Sequence, residues 1–306
     1  MLVSIVIPCY NSEHTIREVV ELTMAQFDEM GGYECEFVLV NDSSSDDTFG
    51  EIRRLGFDYP NVHGINLMRN FGQHNGLMCG MNFAEGDYVI GMDDDLQTHP
   101  SQIPVILGKM EEGYDLVYGV YRESTNGAAK NFTSWFNRVS SRTLLGRPKD
   151  IRSSNFWCIT KGVRDEVVRC KSFNPYVDGL FYRTTHNIGN VTIEHHKREY
   201  GSSGYTLRKM AKLWVAYFNY SVVPLRVASI IGLATSIVGF VAGIVTIIRK
   251  LIDPTMIMGW TSTVCIMLFF FGLVLLVLGI IGEYIGDIVL SINSSPQYIV
   301  RDKVNL

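Results

Sequence analysis

The sequence predicts an α/β fold, a doubly wound and mainly parallel sheet, followed by two transmembrane helices. Short apolar runs alternate with amphipathic stretches from residue 2 to about residue 120, which is the pattern of a parallel sheet with crossover helices. Residues 227–248 and 263–282 carry no acidic or basic side chain, and each run has roughly the 20 residues that cross a hydrocarbon core. Buried helices of a soluble protein are the alternative, but such helices usually interrupt their apolar runs with polar residues.

The chain divides into three parts. It has 306 residues, 47% of them hydrophobic, which is enough for one large domain with additional elements. We assign residues 1–225 to the α/β domain, 226–290 to the two membrane helices and 291–306 to a tail. The only basic residues in the loop between the helices are Arg249 and Lys250. Six basic residues lie near the outer ends of the spans: Arg208, Lys209, Lys212, Arg226, Arg301 and Lys303. This bias predicts a multi-pass protein of the cytoplasmic membrane with both termini in the cytoplasm.

Each strand of the domain is predicted from an apolar run that ends in a polar turn. The amphipathic stretches after the first three strands reach about Met30, Leu55 and Phe83 and are predicted as helices. In sheets of this kind ligands bind beyond the carboxyl ends of the strands, so the polar turns are the candidate site. The predicted strands are Leu2–Pro8, Glu36–Val40, Val62–Leu67, Tyr88–Ile90 and Leu116–Val120.

Three consecutive carboxylates follow the fourth strand. Successive side chains of a strand point to opposite sides, so we expect Asp93 and Asp95 on one face and Asp94 turned away. Such a carboxylate pair suits a hard divalent cation, Mg²⁺ or Mn²⁺, that bridges the protein to substrate phosphates. A solvated acidic loop, or the N-terminal cap of a helix after Pro100, is the alternative.

The turns after the first two strands favour a nucleotide. Pro8 and Tyr10 can form the wall of a base pocket, and Asp42 can accept hydrogen bonds from a ribose or from a base N–H. Helix capping is the competing explanation for Asp42, but Asp46 is better placed for it. We therefore predict Asp42 as a nucleotide ligand.

Several other classes of protein are excluded. A formal net charge of -4 argues against nucleic acid as a partner. Six scattered cysteines without a Cys-x-x-Cys pair indicate reduced thiols, not a disulfide framework or a zinc site. Neither a G-x-G-x-x-G fingerprint nor a G-x-x-x-x-G-K-[ST] phosphate loop is present.

The order Asp-x-Asp-Leu-Gln, followed by Pro after two residues, resembles the signature of family 2 glycosyltransferases that act on polyprenyl phosphates. That family includes dolichol-phosphate mannose synthase and bactoprenol glucosyltransferase. The resemblance aligns Asp93, Asp95 and Gln97 with the signature and implies a GT-A type fold. It also implies a metal held by Asp95, with Gln97 and Asp93 beside it, and a ligand role for Asp42.

Two further segments resemble parts of the family that contact phosphates. Arg122 follows the fifth strand where the family has an arginine near the acceptor phosphate. Residues 198–205 resemble the family loop Arg-x-x-Gly-x-Ser-Lys-Tyr, which closes over the diphosphate and the acceptor phosphate. The matching positions here are Arg198, Gly201, Ser203 and Tyr205, with Gly204 in place of the usual Lys.

Residues 150–160 resemble the segment in which many relatives place an acid near the sugar. The alignment puts Asn155 at the position of that acid, and an amide is not a base. A phosphate monoester has a second pKa near 6, so it is mostly ionised at neutral pH and can attack without a protein base. Asn155 would then orient the sugar or the phosphate, and Asp150 is the alternative acid.

A helix over about residues 130–146 has apolar side chains at helical spacing with arginines between them. We predict that it lies at the membrane interface, since the adjacent spans bring the bilayer close. A helix that packs on the core of the domain is the alternative.

The expected activity is the inverting transfer of one sugar from a nucleotide-sugar to undecaprenyl phosphate, for modification of cell-envelope glycans. A UDP-sugar such as UDP-glucose is favoured as donor, and GDP-mannose stays open. The candidate catalytic residues are Asp93, Asp95, Arg122, Asn155 and Arg198. The expected partners are the donor, the polyprenyl phosphate and the lipid bilayer, and a homo-oligomer is left open. The alternatives are a processive polysaccharide synthase and a non-catalytic membrane protein that binds nucleotide-sugar.

Overall fold

The computed structural model describes residues 1–121, 147–194, 259–292 and 296–306, together with single positions between 228 and 252. Eight strands form one sheet: β1 Leu2–Cys9, β2 Glu34–Asn41, β3 Val62–Leu67, β4 Tyr88–Gly91, β5 Leu116–Tyr121, β6 Trp157–Thr160, β7 Ile188–Ile193 and β8 Val300–Val304. Their order across the sheet is β7-β5-β6-β4-β1-β2-β3-β8. The five strands predicted from the sequence are confirmed, and β6, β7 and β8 are additional.

The helices that connect the strands from β1 to β7 pack on both faces of the sheet. In α1 the buried residues follow the spacing of one helical face, which is why that stretch folds as an amphipathic helix. A 3-10 turn, Pro100–Gln102, leads into α4. The helices are α1 Ile16–Met30, α2 Thr48–Asp58, α3 Gln73–Phe83, α4 Ile103–Met110, α5 Lys161–Val167, α6 Val177–Thr184 and α7 Trp260–Ile292.

The sheet is mixed. β1 pairs in parallel with β2 and with β4, and β2 with β3, which confirms the doubly wound order of the first four strands. β6 lies between β4 and β5 and is antiparallel to both. The edge strand β8 is antiparallel to β3. The prediction of a mainly parallel sheet is therefore confirmed, and the two reversed strands are β6 and β8.

The core has two layers, one on each face of the sheet. Ile5 and Ile7 pack with residues of α1, α2 and α4, whereas Val6 between them packs with residues of α3 and α6. This alternation is the two-residue period of a strand that is buried on both faces. The last residue of β4 is Gly91. A Cβ atom at this position would lie 2.2 Å from the Trp157 ring, so only glycine leaves room for the indole next to the loop that carries the three aspartates.

The predicted tail, residues 291–306, contributes strand β8 to the sheet. Its residues pair with β3 from Gly64 to Leu67. Alternating exposed and half-buried side chains are typical of an edge strand, but a five-residue run with three charged residues gives a weak strand signal. The end of the chain is thus fixed to the α/β domain.

The predicted membrane segments are only partly covered by the structure. Most of the predicted span 227–248 and all of the predicted interfacial helix 130–146 lie outside the described residues. The second predicted span, 263–282, lies within α7. Among the residues whose side chains the structure describes, no helix offers an apolar stretch long enough to cross a membrane.

Candidate active site

A cavity of about 340 Å³ opens at the carboxyl ends of β1, β2 and β4. This is the position at which open α/β sheets bind their ligands, because the chain leaves neighbouring strands there in loops. The cavity contains most of the described residues that the sequence singled out. Its lining residues are Pro8, Cys9, Tyr10, Asp42, Asn70, Gly72, Gln73, Asp93, Asp94, Asp95 and Asn155.

All three acids of the loop after β4 line the cavity, so the expectation that Asp94 turns away is wrong. The strand ends at Gly91, and the alternation of side chains does not continue into the loop. Asp94 accepts hydrogen bonds from the backbone N–H of Tyr10, at 3.2 Å, and from the Ser12 hydroxyl. Burial raises the pKa of Asp94. Asp94 therefore fixes the acid loop to the turn after β1.

Asp93 is the acceptor for two side-chain amides. Gln73 Nε2 donates to its Oδ1 and Asn155 Nδ2 donates to its Oδ2, each at 2.8 Å. Gln73 begins α3 and Asn155 precedes β6, so the carboxylate joins two separate elements across the cavity. Asp93 thus positions Asn155, the residue that the sequence placed near the sugar.

The Asp95 carboxylate accepts a hydrogen bond from the backbone N–H of Gln97 at 3.1 Å. Leu96 between them has a backbone φ of +57°, which is uncommon for a residue other than glycine. The Gln97 side chain is not among the described residues that line the cavity. The tight turn keeps Asp95 in the lining of the cavity, together with Asp93.

The donor set fits a hard divalent cation that also binds substrate phosphates. Mg²⁺ typically takes one or two protein carboxylates and completes its shell with phosphate oxygens and water. Asp93 and Asp95 supply two carboxylates to the same cavity. Within the described residues no group of three or more His, Cys, Asp or Glu side chains forms a metal site by itself.

Asp42 is nearly buried and accepts two backbone N–H groups. Phe71 N donates to Oδ1 at 2.7 Å and Gly72 N donates to Oδ2 at 2.8 Å. Burial, the largest cause, raises the pKa of Asp42, while these two hydrogen bonds act in the opposite direction. The first N–H of α2, that of Thr48, is bound by Asp46 at 3.1 Å. The N-cap residue of α2 is Asp47, the neighbour of the predicted Asp46, and Asp42 lies in the cavity wall instead of capping the helix.

The loop between β3 and α3 supplies residues that sequence reasoning missed. Asn70, Gly72 and Gln73 all line the cavity, and Gly72 has φ +90°. The sequence predicted only that this loop leads into a helix. The signal that could have identified it was the run Asn70–Gln73, polar and glycine-containing, at the carboxyl end of a central parallel strand.

A second group of polar residues that the sequence did not indicate surrounds Asp178 in α6. Tyr118 Oη donates to Asp178 Oδ1 at 2.7 Å, and Tyr176 Oη donates to Oδ2 at 3.3 Å. Burial raises the pKa of Asp178 and lowers that of His74, whose ring lies 4.8 Å from the ring of Tyr176. These contacts join α6 to the start of α3, next to Gln73 in the cavity wall.

The remaining predicted residues do not enter the described site. Asp150 is exposed and does not line the cavity within the described part of the chain, whereas its alternative, Asn155, does. Five predicted phosphate contacts lie outside the described residues: Arg122, Arg198, Gly201, Ser203 and Tyr205.

The mixed sheet with an acid loop at the carboxyl end of a central strand is the architecture of GT-A type glycosyltransferases. Glucosyl-3-phosphoglycerate synthase from Mycobacterium tuberculosis, in complex with Mn²⁺, UDP-glucose and phosphoglyceric acid, superposes with a TM-score of 0.52. The alignment covers 72% of this chain and 79% of that one, at 17% sequence identity. At this identity the similarity establishes the fold and nothing further.

The chain belongs to glycosyl transferase family 2, whose model matches residues 4–170. The family resemblance expected from the acid motif is confirmed, and the protein is a glycosyltransferase. The chain is 34% identical to the uncharacterized glycosyltransferase YkcC of Bacillus subtilis (strain 168), over 97% of this chain and 93% of that protein. It is 33% identical to the undecaprenyl-phosphate 4-deoxy-4-formamido-L-arabinose transferase of Edwardsiella ictaluri (strain 93-146), over 99% and 94%.

Proposed function

We propose that this glycosyltransferase transfers one sugar from a nucleotide-sugar to undecaprenyl phosphate, with inversion at the anomeric carbon. The observation that carries the proposal is the convergence of Asp42, Asp93, Asp95 and Asn155 on one cavity at the carboxyl ends of the sheet. This set offers acceptors for a nucleoside, two carboxylates for a metal and an amide for a sugar or phosphate. A UDP-sugar such as UDP-glucose is the first choice of donor, with GDP-mannose as the alternative.

The relatives support the choice of acceptor. Enzymes from Edwardsiella ictaluri, Proteus mirabilis and Shewanella sediminis carry undecaprenyl phosphate in their names and align with at least 98% of this chain. Because these alignments extend far beyond residue 170, the similarity includes the part of the chain that follows the family 2 match. The names of these enzymes specify a modified arabinose, so an amino or formamido sugar joins the candidates for transfer.

The metal would be held by Asp95, with Asp93 and Gln97 beside it. When bound, Mg²⁺ or Mn²⁺ neutralises charge on the diphosphate leaving group. The fold neighbour was crystallised with Mn²⁺ and UDP-glucose, which is consistent with a divalent cation in this proposal. Asp93 also has a positioning role, because its two carboxylate oxygens accept hydrogen bonds from Gln73 and Asn155.

The acceptor phosphate attacks as a preformed anion in this proposal. Asn155 lines the cavity, the family resemblance aligns it with the acid of many relatives, and an amide does not remove a proton. A phosphate monoester needs none at neutral pH, since its second pKa is near 6. Arg122 and Arg198 would hold the phosphate behind the anomeric carbon, because a guanidinium binds two phosphate oxygens at once.

Two features support the view that the chain is attached to a membrane and crosses it an even number of times. Helix α7 exposes large apolar side chains along its length, including Ile266, Phe271, Leu275 and Leu278. A helix of this kind needs an apolar surrounding that the described protein does not supply. Strand β8 follows α7 and pairs with β3, so both ends of the chain lie in one sheet and on one side of any bilayer.

The topology yields a labelling prediction. In intact cells an impermeant thiol reagent should label an Asp253→Cys variant but not a Leu306→Cys variant, because the loop between the spans lies outside and the chain end lies with the sheet. Leu306 is half exposed, so the substitution disturbs little of the fold. The parent protein, with its six native cysteines, is the control. Labelling of Leu306→Cys without labelling of Asp253→Cys would reverse the topology.

The raised pKa of Asp42 predicts a pH dependence of donor binding. An ionised Asp42 is the better acceptor for a nucleoside N–H or hydroxyl, and a raised pKa means that the charge is lost at a higher pH than for an exposed aspartate. The ratio of wild-type to Asp42→Asn affinity for UDP-glucose should therefore be largest at neutral pH and fall as the solution is acidified toward about pH 4. Calorimetric titration at several pH values measures it. A ratio that stays constant would remove Asp42 from the nucleoside site.

The proposed function is tested by incubating the purified protein with radiolabelled UDP- and GDP-sugars and undecaprenyl phosphate. A short lipid-linked product from one donor supports the proposal and identifies the donor at the same time. A long polymer would instead indicate a polysaccharide synthase. Absence of any product with all donors, together with tight donor binding, would indicate a non-catalytic binding protein.

A further inference from the structure

A chain of side-chain hydrogen bonds runs from the carboxyl-terminal strand β8 to the nucleotide cavity. Asp302 Oδ2 accepts from Asn66 Nδ2 at 3.2 Å, and Asn66 Oδ1 accepts from Asn41 Nδ2 at 2.9 Å. Asn41 Oδ1 then accepts from Ser44, from its backbone N–H at 3.2 Å and from its hydroxyl at 2.5 Å. The chain thus crosses β3 and β2 and ends in the loop that follows β2.

The orientation of both amides depends on Asp302. An amide can rotate to exchange its oxygen and nitrogen, whereas an ionised carboxylate only accepts hydrogen bonds. Asn66 and Asn41 are 9% and 3% exposed, so water cannot substitute for a lost partner at low cost. Asp302 therefore directs the Asn66 amide nitrogen toward itself, and in consequence the Asn41 oxygen points to Ser44.

Ser44 holds two turns of the cavity in uncommon backbone conformations. Its hydroxyl accepts the Asn11 backbone N–H at 3.0 Å, and Asn11 Oδ1 accepts the Ser45 backbone N–H at 2.9 Å. Asn11 and Ser43 have φ of +56° and +57°. Such conformations persist only where surrounding contacts hold them. These residues follow Tyr10 and Asp42, which both line the cavity.

Strand β8 also supports the third turn of the cavity. Arg301 Nη2 donates to the Met68 carbonyl at 3.0 Å, and the Met68 N–H donates to the Ile299 carbonyl at 2.9 Å. Met68 lies two residues before Asn70 in the cavity wall. Strand β8 thus contacts the exit of β3 directly and reaches the exit of β2 through Asn66 and Asn41.

We propose that Asp302 is a positioning residue for donor binding, which acts through Asn66, Asn41 and Ser44 on the turns that carry Tyr10 and Asp42. Because β8 follows α7, the same contacts connect the part of the chain nearest the membrane to the donor cavity. The assignment of a nucleotide to that cavity rests on the proposed function. The hydrogen-bond chain itself is a property of the fold, and a measurement without ligand can test it.

The test compares Asp302→Asn with the exchanged pair Asn66→Asp/Asp302→Asn. In the single variant two amides face each other with no carboxylate to orient them. In the exchanged pair the carboxylate is at position 66 on β3. There it can accept hydrogen bonds from the Asn41 amide on one side and from the new amide at position 302 on the other. Lys303→Gln is the matched control, since Lys303 is exposed on the same strand and its ammonium group lies 4.3 Å from the centre of the Phe83 ring, outside the chain of hydrogen bonds.

Amide hydrogen exchange of the unliganded protein is the first measurement. We expect peptides covering residues 9–13 and 43–46 to exchange about 5- to 10-fold faster in Asp302→Asn, and at the wild-type rate in the exchanged pair and in the control. Faster exchange confined to β3 and β8 would indicate edge-strand support alone and overturn the proposal. If Asp302→Asn does not fold, the exchanged pair decides: wild-type exchange supports the proposal, and fast exchange in both loops contradicts it.

Calorimetric titration with UDP and Mn²⁺ is the second measurement. The Kd should rise by about 5-fold in Asp302→Asn and return to within about 2-fold of wild type in the exchanged pair. A Kd that is unchanged in Asp302→Asn would overturn the role in donor binding. Failure of the wild-type protein to bind UDP while the exchange pattern is as expected would refute the proposed donor class and leave the positioning chain intact.

Discussion

Replacement of Asp95 by Asn is expected to lower kcat for sugar transfer by roughly 10³-fold, because the variant loses a charge from the proposed metal site. The carboxylate lies in a loop beyond the end of β4 and accepts the Gln97 backbone N–H at 3.1 Å. An asparagine oxygen can accept that N–H equally well. The fold should therefore be retained, with a midpoint of thermal unfolding close to that of the wild type.

The measurement is the initial rate of lipid product formation against Mn²⁺ concentration. Asp165→Asn is the matched control, because Asp165 is an aspartate with a half-exposed side chain that is paired with Arg164 at 3.0 Å, away from the cavity. Its rate should equal that of the wild type. An Asp95→Asn enzyme with near-normal turnover at low Mn²⁺ would remove the metal from Asp95.

Replacement of Asp93 by Asn is expected to lower kcat/KM by roughly 10²-fold. Both carboxylate oxygens accept an amide N–H, from Gln73 and from Asn155, and hydrogen bonds to a charged group contribute about 1.5–3 kcal/mol each. The asparagine presents its own NH₂ group to one of these donors. One contact is lost, the other is weakened, and Asn155 is released from its position in the cavity.

A double-mutant cycle separates this positioning effect from other roles of Asp93. Asn155→Ala alone should lower the rate about 10-fold, and in the Asp93→Asn background it should add little, because the contact is already broken. Measured kcat/KM values for the four proteins complete the cycle. If the fold reductions of the two single variants instead multiply in the double variant, Asp93 does not act through Asn155.

The first half of the fold could be predicted from the sequence because its signals are local. Strands such as Leu2–Cys9 and Val62–Leu67 are apolar runs that end in polar turns, and their alternation with amphipathic stretches indicates a doubly wound sheet. Strand β6 has four residues and follows a long connection, so neither its existence nor its antiparallel direction is signalled locally. Strand β8 carries charged side chains at an edge, where strand patterns are weak.

The candidate site was predicted as far as residue type and strand end allow. Asp42, Asp93 and Asp95 line one cavity as predicted, because motifs at the carboxyl ends of neighbouring parallel strands meet in space. Asn155 also lines it, but it was assigned from the family resemblance alone, since it precedes the antiparallel strand β6. The orientation of Asp94 was not predictable, because the strand rule stops at Gly91 and the loop takes a positive φ at Leu96. The partners of Asp93 depend on which elements lie opposite, which the sequence does not encode locally.

Mass spectrometry of the lipid extract after reaction with undecaprenyl phosphate tests the central claim most directly. With the donor that is accepted, the proposal predicts one new species, whose mass equals undecaprenyl phosphate plus a single sugar residue, formed in step with release of the nucleoside diphosphate. It should be absent with Asp95→Asn and in reactions without the lipid. Release of the nucleotide at the same rate in the absence of undecaprenyl phosphate, with no glycosylated lipid when the acceptor is present, would contradict transfer to this acceptor.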